Sequence, residues 1–365
     1  MKILLPTPDY PPMTGGIQLL LERLVHHSRF SYEVVTLSTP AGCQRSMEAG
    51  VTRTPRLRGH RLAVGALNSM TVARAAAWRP DAVLSGHIVT GPAALALQGL
   101  FGIPATQYLY AKELDRRPSL TRLVTQRARA SLAISSHTQR EALALGAPAE
   151  RVHMILPGVD SPTGSSSLPV ERQTGPPTIV TVARLEDRHK GFDVMIKALP
   201  LVRARAPGAR WVVVGEGPLR GELEAMAASL DVADHVTFTG RLDNEARDDW
   251  LDRAHVFAMP SRLLPGGRGG EGFGIVYLEA GTHGLPCVAG NVGGSVDAVI
   301  GGETGLLVDP TDHVAVAGAI TELLLDPDLR MRLGEAGRAR AHKLSWAHMA
   351  EQVDDLIERV VADMK

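Results

Sequence analysis

The chain has 365 residues, 39 Lys+Arg against 39 Asp+Glu, 44% hydrophobic and 21% charged, the make-up of an ordinary soluble globular protein large enough for two domains with their own cores. Its two cysteines, Cys43 and Cys287, are far apart and lack metal-ligand spacing, which excludes a disulfide framework and points to a reducing compartment. No stretch of 18 apolar residues occurs, and the run that ends at Pro6 is too short for a signal peptide, so neither a membrane span nor export is expected and the chain reads as cytoplasmic.

The zero net charge gives no argument for nucleic acid, but it is unevenly spread. Residues 1–160 hold 18 Lys+Arg against 10 Asp+Glu, and residues 161–365 hold 21 against 29. A basic first half permits an anionic acceptor or peripheral contact with a lipid surface; arginines on solvated helices would give the same count.

Short apolar runs alternate with amphipathic segments, the pattern of βαβ units and a parallel sheet. Strands are predicted at Ile3–Leu5, Val34–Leu37, Ala82–Leu84, Ala105–Tyr108, Leu132–Ile134 and Val152–Ile155, with helices such as Ile17–His27, Ala66–Trp78 and Thr138–Leu145 between them. Residues 161–177 are rich in Ser, Gly and Pro and read as an interdomain linker. Strands then resume at Thr178–Val182, Trp211–Val214, Val236–Phe238, Val256–Ala258, Pro286–Ala289 and Leu306–Val308. Helices are predicted at Asp193–Arg205, Leu219–Ser229, Phe273–His283, Val314–Leu325 and Trp346–Met364. The expected domains are 1–160 and 178–345, with 346–365 a terminal helix.

Ligands of such sheets bind at the carboxyl ends of the strands. After the first strand, Gly15 and Gly16 open a helix whose N–H groups suit a phosphate. In the second half, Arg184 and Lys190 follow a strand and could both reach a diphosphate, or be solvated loop cations. Gly215 and Gly217 lie on a strand-to-helix turn that fits a nucleotide, and Arg241 with Leu242 on one where backbone could meet a base. Both could equally be ordinary turns. Glu271 and Glu279 lie eight residues apart on a glycine-rich turn after Arg268, Gly269 and Gly270 and on the helix beyond it, about 12 Å of helical rise. Such a pair can hold two parts of one elongated ligand, for instance a sugar and a ribose; a solvated helix residue and an N-cap neighbour are the plain alternative. Asp326-Pro-Asp328 has a metal-binding spacing but falls between two helices, where a boundary turn is expected. Cys287 is expected to be a small core residue.

Together with Gly293-Gly294-Ser-Val-Asp297, Thr304–Pro310 and Ile155–Asp160, these stretches resemble glycosyltransferase family 4, retaining enzymes of the GT-B fold, over nearly the whole chain. The resemblance implies an α/β protein of two Rossmann-like, doubly wound domains facing across a cleft, with the last helix crossing back to the first domain. It implies a nucleoside-diphosphate sugar, UDP- or GDP-linked, whose hexose passes to an acceptor hydroxyl with configuration retained. The sequence offers no His/Cys cluster for a transition metal and no obvious carboxylate nucleophile, so same-face attack without a metal or other cofactor is expected. By this likeness Glu279 takes the ribose, Arg184 and Lys190 the diphosphate and Glu271 the sugar hydroxyls. The backbone at Phe273, Gly274 and Ile275 lies near the donor, and Gly16 approaches its diphosphate. His87 resembles the histidine that family members place beside the sugar, although Ser85 stands where many of them have a second histidine. Tyr110 and Glu113 are candidates for the acceptor side. The competing readings are a nicotinamide-dependent dehydrogenase, for which Gly215-Glu-Gly217-Pro-Leu-Arg-Gly221 is a loose match, and a same-fold nucleotide-sugar-binding protein or epimerase without transfer activity. No acidic residue closes strand Val236–Phe238 to take an adenosine ribose, which counts against the dehydrogenase.

Overall fold

The computed structural model describes residues 1–38, 50–160, 175–264 and 270–363. Cys43, residues 161–174 of the expected linker, Arg268, Gly269 and Met364 lie outside the described residues. Two compact units are present: Met1–Gly158 with Trp346–Lys365, and Val159–Ser345.

Unit 1 begins with β1 (Lys2–Pro6), α1 (Gly16–His27), β2 (Ser31–Thr36), β3 (Val51–Arg53), α2 (His60–Trp78), β4 (Ala82–Ser85) and α3 (Gly91–Phe101). It continues with β5 (Ala105–Leu109), α4 (Ala111–Arg116), α5 (Pro118–Arg127), β6 (Ala130–Ala133), α6 (Ser136–Ala144) and β7 (Val152–Met154). The seven strands pair in parallel in the order β3-β2-β1-β4-β5-β6-β7, so the winding reverses between β1 and β4. Ile3, Leu4, Leu5, Val83 and Leu84 are wholly buried, as central strands covered on both faces must be.

Unit 2 contains β8 (Thr178–Val182), α7 (Phe192–Arg205), β9 (Arg210–Val214), α8 (Arg220–Ser229), β10 (Val236–Gly240), α9 (Asn244–Arg253) and β11 (Val256–Met259). Then follow α10 (Ile275–Thr282), β12 (Cys287–Gly290), α11 (Ser295–Ala298), β13 (Gly305–Val308), α12 (His313–Leu325) and α13 (Pro327–Lys343). Its parallel sheet runs β10-β9-β8-β11-β12-β13 and reverses between β8 and β11. Phe192, Trp211, Val213, Val256 and Ile320 pack in one apolar cluster, and the Trp211 indole donates to Thr181 Oγ1 at 2.9 Å.

The last helix, α14 (Trp346–Ala362), packs on α1 of unit 1. Trp346, Met349, Ala350, Val353, Ile357 and Val360 form its buried stripe at helical spacing. Beside them the buried Asp354 carboxylate accepts from Ser28 Oγ at 2.7 Å and Arg29 N at 2.9 Å. No helix among the described residues is long and apolar enough to cross a membrane.

Several boundaries differ from those predicted. Helix α2 starts at His60 rather than Ala66 because no residue of its first turns is fully buried and so they carry no apolar period. Helix α10 starts at Ile275, not Phe273, because Gly274 ahead of it has φ +91°. Strand β3, three half-buried residues against β2, was not anticipated. Asp326 caps α13 by accepting from Leu329 N at 2.9 Å, which gives the Asp-x-Asp spacing its helix-boundary reason. Cys287 is a buried strand residue whose thiol pKa burial pushes up.

Candidate active site

In unit 2 Arg184 and Lys190 follow β8 and Glu271 follows β11, the two strands that flank the winding reversal, where open α/β sheets form their crevice. The loop after β8 is tied to the turn after β9: Leu185 N donates to Glu216 O at 3.0 Å and Leu219 N to Leu185 O at 2.9 Å. A Cβ on Gly215, whose φ is +151°, would lie 2.0 Å from Ala183 O, and one on Gly217 would lie 2.5 Å from the Leu185 carbonyl. These glycines, expected on a nucleotide-facing turn, serve the approach of one loop's backbone to the other. Together they hold Arg184, whose half-exposed guanidinium lies 3.5 Å from Glu186.

Lys190 ends a short 3-10 turn, Arg188–Lys190. Gly191 behind it has φ +78°, and a side chain there would strike Pro260 O at 2.3 Å. Arg262 N donates to His189 O at 2.8 Å, which fixes the turn against the exit of β11. Lys190 Nζ donates to Glu271 Oε2 in a largely buried ion pair. The separate roles expected for the two residues thus begin from a shared contact.

Glu271 lies four residues before α10, further from the helix start than expected. Its loop is clamped by Gly293 and Gly294. Gly294 N donates to Glu271 O at 2.8 Å, and a Cβ on Gly294 would lie 2.1 Å from Gly272 O. Phe273 is buried beneath the loop. Gly274 leaves room only for the Tyr277 ring, 2.5 Å from where its Cβ would stand, and Tyr277 Oη donates to Met259 O at 2.6 Å. Ile275 is the first helical residue, and no acidic side chain stands in the first turn, so its N–H groups suit an anion.

Glu279 sits further along α10. Burial pushes its carboxyl pKa up, opposed by Arg247 of α9, whose guanidinium lies 3.7 Å away. Sequence reasoning missed Arg247, because Asn244-Glu-Ala-Arg-Asp-Asp reads as a solvated helix. Arg241 is exposed and Leu242 half-buried on the turn after β10. Among the described residues, no three His, Cys, Asp or Glu side chains group as a metal site.

In unit 1, β1, β4 and β5 also converge at their carboxyl ends. Gly15, with extended backbone, precedes Gly16, the exposed first residue of α1, and this helix likewise has no acidic side chain in its first turn. His87 heads the 3-10 turn Ile88–Thr90, and its Nδ1 accepts from Val89 N at 3.2 Å. Ser85 is buried below, 2.9 Å from His87 O and 2.8 Å from Thr90 Oγ1, so it builds the turn. Tyr110 and Glu113, expected to line the acceptor side, are both buried. The Tyr110 ring stacks on Tyr108 with centroids 5.6 Å apart. Glu113 accepts from Ile88 N at 2.9 Å and Tyr110 N at 3.1 Å and lies 3.1 Å from His87 Nδ1. Asp9, on the loop after β1 and also missed, lies 3.9 Å from His87 Nε2.

Two units, each a doubly wound parallel sheet with polar and glycine loops at its carboxyl ends, are the architecture of the GT-B fold. A crystal structure of Anabaena HepE in complex with UDP-glucose has the same fold, with TM-score 0.77 and 20% identity over 98% of this chain and 100% of that one. Residues 15–158 match the glycosyl transferase 4-like domain and residues 168–340 the glycosyl transferases group 1 domain. The chain belongs to glycosyltransferase family 4. It is 32% identical, over 92% of both chains, to a GDP-mannose-dependent alpha-(1-6)-phosphatidylinositol monomannoside mannosyltransferase of Mycolicibacterium smegmatis. Its likeness to the Mycobacterium tuberculosis enzyme of that name is 38% over 61% of this chain, and spans 60% of that protein's length. The dehydrogenase reading falls with the family assignment.

Proposed function

We propose that the chain moves mannose from GDP-mannose to a hydroxyl of a phosphatidylinositol mannoside, with the anomeric configuration retained and without a metal ion. The observation that carries the reading is the grouping of Arg184, the Lys190–Glu271 pair and the start of α10 around the β8/β11 reversal. Cations and open N–H groups suit a diphosphate that gains negative charge as it leaves, and the two acids suit hydroxyls on either side of it. The names of the relatives supply the donor and the acceptor class, and the positive excess of residues 1–160 suits an anionic lipid.

Glu271 is engaged by Lys190, which favours its use in positioning over attack. In the same-face reaction the C1–O bond to the diphosphate breaks and a bond to the acceptor oxygen forms on that face. The acceptor proton passes to the leaving phosphate. Arg184, Lys190 and the α10 N-terminus would stabilise the departing charge, Glu279 would hold the ribose, and the backbone around Arg241 and Leu242 would meet the base. His87 would serve the transferred sugar.

The test is incubation with GDP-mannose and phosphatidylinositol monomannoside in a chelator, with the product linkage read by NMR. An α-linked mannosyl lipid is expected. An inverted product, or activity that vanishes with chelation and returns with a divalent ion, would overturn the mechanism. Transfer from UDP-glucose alone would overturn the donor.

A further inference from the structure

His87 and Glu113 meet behind the loop after β4, and two contacts there bear on which ring nitrogen carries the proton. Nδ1 accepts the Val89 N–H at 3.2 Å and is therefore a bare lone pair. Glu113 Oε2 stands 3.1 Å from that nitrogen. Two facing lone pairs would repel; a proton on the carboxyl relieves this, its O–H and the Val89 N–H then sharing the single in-plane lone pair of Nδ1. The carboxyl accepts Ile88 N–H and Tyr110 N–H from the other side, which locks its orientation within the buried layer.

We propose that Glu113 is a positioning residue for sugar transfer: as a neutral acid it donates to His87 Nδ1, fixes the ring and leaves Nε2–H as the outward hydrogen-bond donor. The tautomer of an imidazole is set by the bond its other nitrogen makes, and a buried carboxyl fixed to the backbone is a rigid way to set it. The charges agree. Burial lifts the Glu113 pKa to about 8, outweighing the Ile88 and Tyr110 N–H bonds that favour its charged form, and burial, with Arg117 and His60 nearby, lowers that of His87 to about 4. Asp9, whose own pKa burial raises, is the acidic group on the Nε2 side. The pair is therefore neutral near pH 7, with one proton on each residue.

The inference rests on the reading of His87 as a residue of the transfer site, but its first test does not need activity. The wild-type protein, labelled with 15N-histidine, is examined by long-range proton–nitrogen correlation NMR, with His87 assigned from the His87→Gln spectrum. A neutral Nε2–H tautomer that does not titrate between pH 5 and 7 is expected, a window chosen because an ordinary histidine titrates there at about 6.5. An Nδ1–H or doubly protonated ring near neutral pH would overturn the proposal. In kinetics, Glu113→Leu should lower kcat about tenfold with KM for the donor changed less than about twofold. Glu113→Gln, which keeps an N–H for Nδ1, should recover part of that loss. An equal effect of Glu113→Leu in a His87→Gln background would show that Glu113 acts independently of the histidine. A protein inactive with every donor would defeat the transferase reading while leaving the tautomer result standing.

Discussion

Lys190 and Glu271, 81 positions apart in the chain, form one ion pair because β8 and β11 are neighbours in the sheet. Removing either partner takes one charge out of a largely buried pair and also removes a group proposed to touch the donor. Lys190→Ala and Glu271→Ala should each lower kcat/KM roughly a hundredfold, about 2.7 kcal/mol. The double variant should fall little further, since paired groups act as a unit. Steady-state kinetics on the three proteins checks this, and additive losses would show that the residues work separately.

Glu279 should bind ribose hydroxyls as a carboxylate. Its Ala variant is expected to weaken donor affinity about tenfold. Because burial raises the Glu279 pKa, affinity should weaken as pH falls through that raised value and the carboxylate takes up a proton. Arg247 opposes the rise, so Arg247→Ala should move the midpoint to higher pH. Calorimetric titration of donor across an acid pH series reads both effects, and a midpoint that does not move would remove Arg247 from the site.

Glycines of one motif should respond oppositely to alanine. Gly215→Ala drives a Cβ into Ala183 O at a backbone angle that side chains avoid, and should cost about 2–4 kcal/mol while disturbing Arg184. Gly221 lies in helix α8 with nothing within 4 Å of a Cβ, so Gly221→Ala should stabilise by about 0.5–1 kcal/mol. Urea unfolding distinguishes the two, and equal effects would contradict the packing role.

The His87–Glu113 pair also sets a stability slope. Between 4.5 and 6.5 the folded pair carries its proton on Glu113 and the unfolded pair carries one on histidine, so the counts match and this pair contributes no slope. From 6.5 to about 8 the folded state retains the Glu113 proton after the unfolded chain has lost its own. Stability should therefore fall as pH rises through that window, by at most about 1.4 kcal/mol per pH unit. Glu113→Gln should flatten the fall. A slope unchanged in that variant would assign it to other groups.

Much of the fold was legible because its strands are apolar runs buried on both faces: Thr178–Val182 appeared at the predicted bounds, and Trp211–Val214 within one residue. The three-residue β3 and the exposed start of α2 carried no such pattern. Position after a strand pointed to Lys190, and the spacing of two acids on a glycine-rich turn and its helix to Glu271 and Glu279, but the contact between Lys190 and Glu271 depends on strand order, which local pattern does not encode. Arg247 was hidden in a segment that reads as solvated helix, and Asp9 in a loop with no periodic pattern. Tyr110 and Glu113 were chosen as polar residues after a strand, yet α4 turns both inward, where Glu113 bonds two backbone N–H groups.

Hydrogen exchange measured with and without GDP-mannose tests most directly whether the loops of unit 2 hold the donor. Protection should appear in peptides that span Arg184–Gly191 and Gly270–Glu279, and Glu279→Ala should weaken it. Protection confined to other segments, or none with any nucleotide sugar, would contradict the assignment.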